Sequence, residues 1–214
     1  MSQEKIYRGI ASIKNEKSLV EFTNKLQVAE LSQFSRLLGE KSKIGIVIQD
    51  YSKGTGKENI IVEANILPEE ALGLLERAKA IVYYGGKGDF QDSWVKTFGE
   101  YEDEHGKKDG NAIVTKLMIS RRSTDSSGKP MRYPWNIQIE NGKGKMAEGK
   151  NALVSGTYVC LKKAYKQVSD EDLIGVLIRV SSCIREFEHH AASVLFDPAL
   201  YQLKTEQDAW KRNK

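Results

Sequence analysis

Cysteine is nearly missing: Cys160 and Cys183 are the only two in 214 residues, which excludes a disulfide-built scaffold. They have no C-x-x-C spacing and no matching histidine pattern, so both read as buried reduced thiols. Histidine is as scarce. His105 stands alone in a charged loop, while His189 and His190 close a helical stretch. Cys183, Glu186 and His190 are three and four residues apart, the one grouping with ligand character. Histidines near a helix C-terminus are favourable without any metal, so no metal or other cofactor is expected. No apolar run approaches 18 residues, which predicts no spanning helix. Met1–Arg8 is polar with no apolar run behind it, which predicts no signal peptide and a cytoplasmic protein. Catalytic signatures are missing too. There is no GxSxG and no paired-carboxylate pattern, and GTGK (Gly54–Lys57) and GGKG (Gly85–Gly88) lack the spacing and Ser/Thr of a phosphate loop. The chain is not expected to be an enzyme.

What is present is a segregated charge. Between Lys116 and Lys166 eleven Lys/Arg face three acids, Asp125, Glu140 and Glu148. The window is therefore at +8, and a chain total of +4 leaves −4 elsewhere. Tyr133, Trp135, Tyr158 and Tyr165 lie among these cations. Cations neutralise phosphates and aromatic faces stack on unpaired bases, so the mixture fits an extended polyanion. The plainer alternative is a solvated sheet face whose lysines serve solubility.

Read in order, Met1–Ile13 is a polar leader. Leu19, Phe22, Leu26, Leu31, Phe34 and Leu38 recur at mostly helical spacing, predicting an N-terminal amphipathic helix from Asn15 to Leu38, with Asn15 as a cap. Lys43–Asp50 alternates as a strand, Tyr51–Lys57 is a hairpin loop and Asn59–Asn65 returns. Pro68, Glu69 and Glu70 open a helix that ends at Gly85–Gly86. Gly86–Gly110 reads as a polar connection, with a short helix over Phe90, Trp94, Phe98 and Tyr101. Three strands follow, Ala112–Ser120, Trp135–Glu140 and Thr157–Lys163. Ser169 and Asp172 have the form of a capping box for a long helix to about Leu195, which Asp197–Pro198 is expected to break, leaving a polar tail.

The two halves share an order of strands, break, acidic helix start and apolar stripe. This predicts an α+β fold of duplicated antiparallel β-sheet-plus-helix units with an extra N-terminal helix. The expected boundaries are 1–42 for leader and helix, 43–196 for the duplicated domain and 197–214 for the tail. Such a duplicated basic and aromatic sheet, over roughly Lys43 to Leu195, resembles the Whirly family and related single-stranded-DNA-binding coactivators. GKGKMAEGKNAL (Gly142–Leu153) is similar to the KGKAAL-type segment of plant Whirly proteins, but it is interrupted and reads as a loop. The resemblance implies that the strands form a nucleic-acid platform while the helices pack behind it or mediate homo-oligomerisation.

The expected function is sequence-tolerant binding of single-stranded DNA, with RNA as an alternative ligand. Lys116, Arg121, Arg122, Lys129, Arg132, Lys143, Lys145, Lys162 and Lys163 are the candidates for the backbone, and Tyr133 and Trp135 for base stacking. Strand alternation puts Trp135 on the side of Ile137 and Ile139 and sets Asn136, Gln138 and Glu140 on the other, so a core role competes for Trp135. The rival from another class is a protein-interaction module assembling through its amphipathic helices. Duplex binding through the Arg121–Arg132 hairpin is the third reading.

Overall fold

Val20 and Phe22 alternate with Leu19, Glu21 and Thr23, and this period of two makes Ser18–Lys25 a strand. The expected helix from Asn15 is therefore corrected. Leu19, Phe22 and Leu26 match a helical stripe by spacing, but Val20 and Phe22 are the buried residues, and pairing with the next strand decides between the two periods. Leu31, Phe34 and Leu38 lie outside the described residues. The computed structural model describes residues 8–27, 42–54, 56–85, 88–147 and 152–212, the side chains of Lys57 and residues 192–212 excepted.

The first half runs β1 (Gly9–Lys14), β2 (Ser18–Lys25), β3 (Lys43–Asp50), β4 (Ile60–Ile66) and α1 (Pro68–Lys79). The strands form an antiparallel meander in sequence order, so residues before Lys43 are part of the first sheet. Asn15 caps no helix. Its Oδ1 accepts the Lys17 and Ser18 N–H groups at 3.0 and 2.9 Å, the side-chain-to-backbone bonding that builds the β1–β2 turn. Ile44, Ile46 and Ile48 face the core, and Ala71, Leu74, Leu75 and Ala78 of α1 close over it. The Leu67 N–H donates to Glu70 Oε2 at 2.6 Å, which satisfies an orphan donor at the start of α1. A π-helical turn, Ala80–Gly85, ends the half.

The second half repeats the plan with β5 (Phe90–Glu102), β6 (Lys108–Arg121), β7 (Trp135–Gly144), β8 (Val159–Val168) and α2 (Asp170–Arg212). Its four strands also pair antiparallel in sequence order. β5 replaces the expected polar connection with a short helix. Phe90, Trp94 and Phe98 are four residues apart and so satisfy both periods, but each also lies on one side of an extended strand paired with β6. β7 runs through Gly142 and Gly144, a stretch expected as loop. Glycine weakens a strand signal, yet a Cβ at Gly142 would collide with the Val159 carbonyl and stand 2.9 Å from the Tyr158 ring, so only glycine lets β8 lie this close.

The Asp172 N–H donates to Ser169 Oγ at 3.1 Å, the expected cap of α2. The helix does not break at Asp197–Pro198. Its 43 residues extend to Arg212, about 65 Å at 1.5 Å per residue. Leu, Gln, Glu, Lys and Ala after Pro198 are good helix formers, and they carry the helix past the hydrogen bond that proline removes.

Both sheets and both helices share one apolar core, in which α2 packs on α1 and β1 while β4 lies across β7 and β8. Two side chains tie the halves together by hydrogen bonds. Asn141 on β7 accepts the Glu63 N–H at 3.0 Å and donates to the Glu63 carbonyl at 2.9 Å, so a side chain pairs with the outer edge of β4. Lys166 on β8, buried, donates to the carbonyl and hydroxyl of Ser18 at 3.1 and 3.0 Å.

Candidate nucleic-acid interface

The second sheet has one covered face and one open face. Leu117, Ile119, Ile137, Ile139, Ala164 and Val168 point into the core, which by alternation turns Met118, Ser120, Asn136, Gln138, Tyr165 and Gln167 outward. Register places these in rows: Ser120 opposite Asn136, which is opposite Gln167, and Met118 opposite Gln138, which is opposite Tyr165. One row further, Lys116, Glu140 and Lys163 lie side by side.

The β6–β7 connection, residues 122–134, folds as an arm along this face. It is held by backbone bonds from Arg122 N–H to the Pro134 carbonyl (2.9 Å) and from Met131 N–H to the Ser123 carbonyl (3.0 Å). At its tip Asp125 accepts from Ser127 and from the Ser127 and Lys129 N–H groups, while Gly128 adopts φ +79°. The Ser127 hydroxyl, followed by the Lys129 N–H, holds the Asp125 carboxyl below its ordinary range. Between arm and sheet lies an open groove of about 880 Å³. Its floor is amide and hydroxyl (Gln91, Ser120, Asn136, Gln138, Gln167), Met118 and Tyr165 add apolar surface together with Phe90, Met131 and Pro134, and Arg122 stands at its side. Two carboxylates also line it. Asp89 accepts the Ser123 N–H at 3.2 Å, and Asp125 organises the arm's tip, so both are engaged in holding the arm.

The eleven residues singled out from sequence divide by position. Arg122, Lys129, Arg132 and Tyr133 sit exposed on the arm, with the Arg132 guanidinium 5.3 Å from the Tyr133 ring centre. Lys116 and Lys163 belong to the open face. Lys116 Nζ lies 3.5 Å from the centre of the Tyr158 ring, and Lys163 pairs with Glu140 at 3.1 Å. Lys143 and Lys162 alternate to the opposite face, where Lys143 pairs with Asp109 at 2.6 Å and lies over Tyr101. Lys143 and Asn111 hold the Asp109 carboxyl down at about 2. Lys145 is exposed at the far end of β7, away from the arm.

Arg121 and Trp135 are not at the surface. Arg121 is 5 % exposed and Trp135 is fully covered, and both bind Asp170 at the start of α2. Their alternation with Ile119 and Ile137 sends them inward, so Arg121 has no free guanidinium for a phosphate and Trp135 no free face for a base. Phe90 packs edge-on against Trp135 at 5.6 Å. Asn136 and Gln138, which alternation already sets on the face opposite Trp135, are the groove residues to which the sequence assigned no role. Their signal was the same alternation: once Trp135, Ile137 and Ile139 face inward, Asn136 and Gln138 must face out.

Chemically, a floor of side-chain amides offers donors and acceptors at each position without a fixed charge, and such groups hydrogen-bond any base edge that is not already paired. Tyr165 and Tyr133 add exposed rings at 56 % and 43 %. No helix among the described residues is long and apolar enough to cross a membrane. No protein-family model, no curated protein and no solved structure matches this chain.

Proposed function

We propose that the chain binds single-stranded nucleic acid, DNA by first preference, in the groove between the β6–β7 arm and the open face of the second sheet. The observation that carries this reading is the groove's composition: an uncharged amide floor, an exposed tyrosine and a cationic arm. Phosphate contacts from Arg122, Lys129, Arg132, Lys116 and Lys163 supply sequence-independent attraction, while unpaired bases meet the amides and Tyr165. A duplex hides the base edges that the floor is suited to bond. Two four-stranded antiparallel sheets, each followed by a helix, match the duplicated sheet-plus-helix order expected from the sequence.

The test is a titration of labelled single strand of about 30 nucleotides at two salt concentrations, with duplex as competitor. Five phosphate contacts on a single strand predict that log K falls against log salt with a slope of about −3.5. Binding with that salt dependence, undiminished by duplex, supports the reading. Absence of binding at low salt overturns it and leaves protein association as the function to pursue.

A further inference from the structure

The groove on the second sheet does not end at its edge strand. Tyr165 and Gln167 of β8 also line a second concavity of about 510 Å³, where the edge of the second sheet meets the β1–β2 turn of the first. Lys14, the last residue of β1, and Lys17 on that turn stand exposed, and neither is paired with a carboxylate among the described residues. Tyr133 reaches the cleft from the base of the arm. The cleft is built rather than incidental, because Lys166, 3 % exposed, lines it and ties β8 to Ser18 through its two hydrogen bonds. The carboxylates of Asp50 and Asp172 line it as well; Asp50 is engaged by the Ser52 N–H at 2.9 Å.

We propose that a single strand lying on the second sheet continues over β8 into this cleft, so that one footprint spans both halves of the molecule. Bases leaving the amide floor pass Tyr165 and Tyr133, and the following phosphates meet Lys14 and Lys17. This extension rests on the nucleic-acid reading above. It gives the duplicated architecture a use: the second half supplies the base-contacting face and the first half supplies the cationic continuation, in line with the path set by the shared tyrosine.

The experiment is a length series of oligothymidylates from about 4 to about 16 nucleotides, titrated into the full chain and into the double variant Lys14→Gln, Lys17→Gln. Both side chains are exposed, Lys14 at the end of β1 and Lys17 on the turn held by Asn15, so the variant keeps its fold, which far-ultraviolet circular dichroism checks. The expected result is equal affinity of the two proteins for the shortest oligomer. For the longest, the variant binds several-fold more weakly, and its salt slope is shallower by about 1.4, two contacts at 0.7 each. Parallel affinities and slopes at every length overturn the extension while leaving the groove reading intact. Failure of the unaltered chain to bind any oligomer overturns both.

Discussion

Arg121, the last residue of β6, grips Asp170, the first residue of α2, through two hydrogen bonds of 2.9 Å from Nε and Nη2. A third, from Trp135 Nε1 at 2.6 Å, reaches the same carboxylate, and a further guanidinium N–H goes to the Gly88 carbonyl at 3.1 Å. One carboxylate thus ties the end of a strand, the start of its neighbour and the start of the long helix together behind the open face.

Removing one member of such a pair leaves an uncompensated charge. Asp170→Ala is expected to cost about 3 kcal/mol, since it strands a guanidinium that is 5 % exposed. Urea denaturation measures this directly. A loss under about 1 kcal/mol would show that water reaches Arg121 and replaces the carboxylate.

The same carboxylate sets an acid limit. The Arg121 guanidinium, and after it the Trp135 N–H, hold Asp170 below the ordinary carboxylate range, against burial that pushes it up. Because the folded value is the lower one, its stabilisation is fully present above the unfolded value and is lost as pH falls through the folded value. Urea midpoints of the native chain should therefore drop below about pH 4, and Asp170→Asn, weaker throughout, should drop less over that interval. Equal drops in the two proteins would assign acid sensitivity to other groups.

Gly142→Ala tests why β7 carries glycine where a strand disfavours it. The new Cβ meets a backbone carbonyl on β8, which cannot swing aside, so a destabilisation of about 1–3 kcal/mol is expected. Gly99→Ala, on β5 with nothing within 4 Å, is the control and should be near neutral or slightly stabilising. Thermal melts of the two variants check the contrast. Indistinguishable melts would mean that β8 shifts to accommodate the methyl group.

On the open face, Tyr165→Ala should weaken single-strand binding by about 1–3 kcal/mol with an unchanged salt slope, because a ring contributes stacking and no counterion release. Arg122→Ala should instead lower the slope by about 0.7. Fluorescence anisotropy at several salt concentrations separates the two. A change of slope in Tyr165→Ala, or none in Arg122→Ala, would reassign their roles.

Several elements were already legible in the chain: β3 from Ile44, Ile46 and Ile48, α1 from Pro68 and its acidic first turn, the start of α2 from Ser169, and the doubled sheet-plus-helix order. Each rests on interactions within a few residues, a capping hydroxyl or a period that admits one reading. β2 and β5 were hidden because their apolar residues, spaced three or four apart, satisfy a helix and a strand equally well. Only the hydrogen-bonding partner, β3 for one and β6 for the other, breaks that tie, and a partner is a tertiary fact. The same holds for the surface. Composition alone located a basic and aromatic window between Lys116 and Lys166. Which of its members face outward was decided by the packing of one sheet against α2 and the other half, which drew Arg121 and Trp135 to Asp170 and left Asn136, Gln138 and Tyr165 facing the groove.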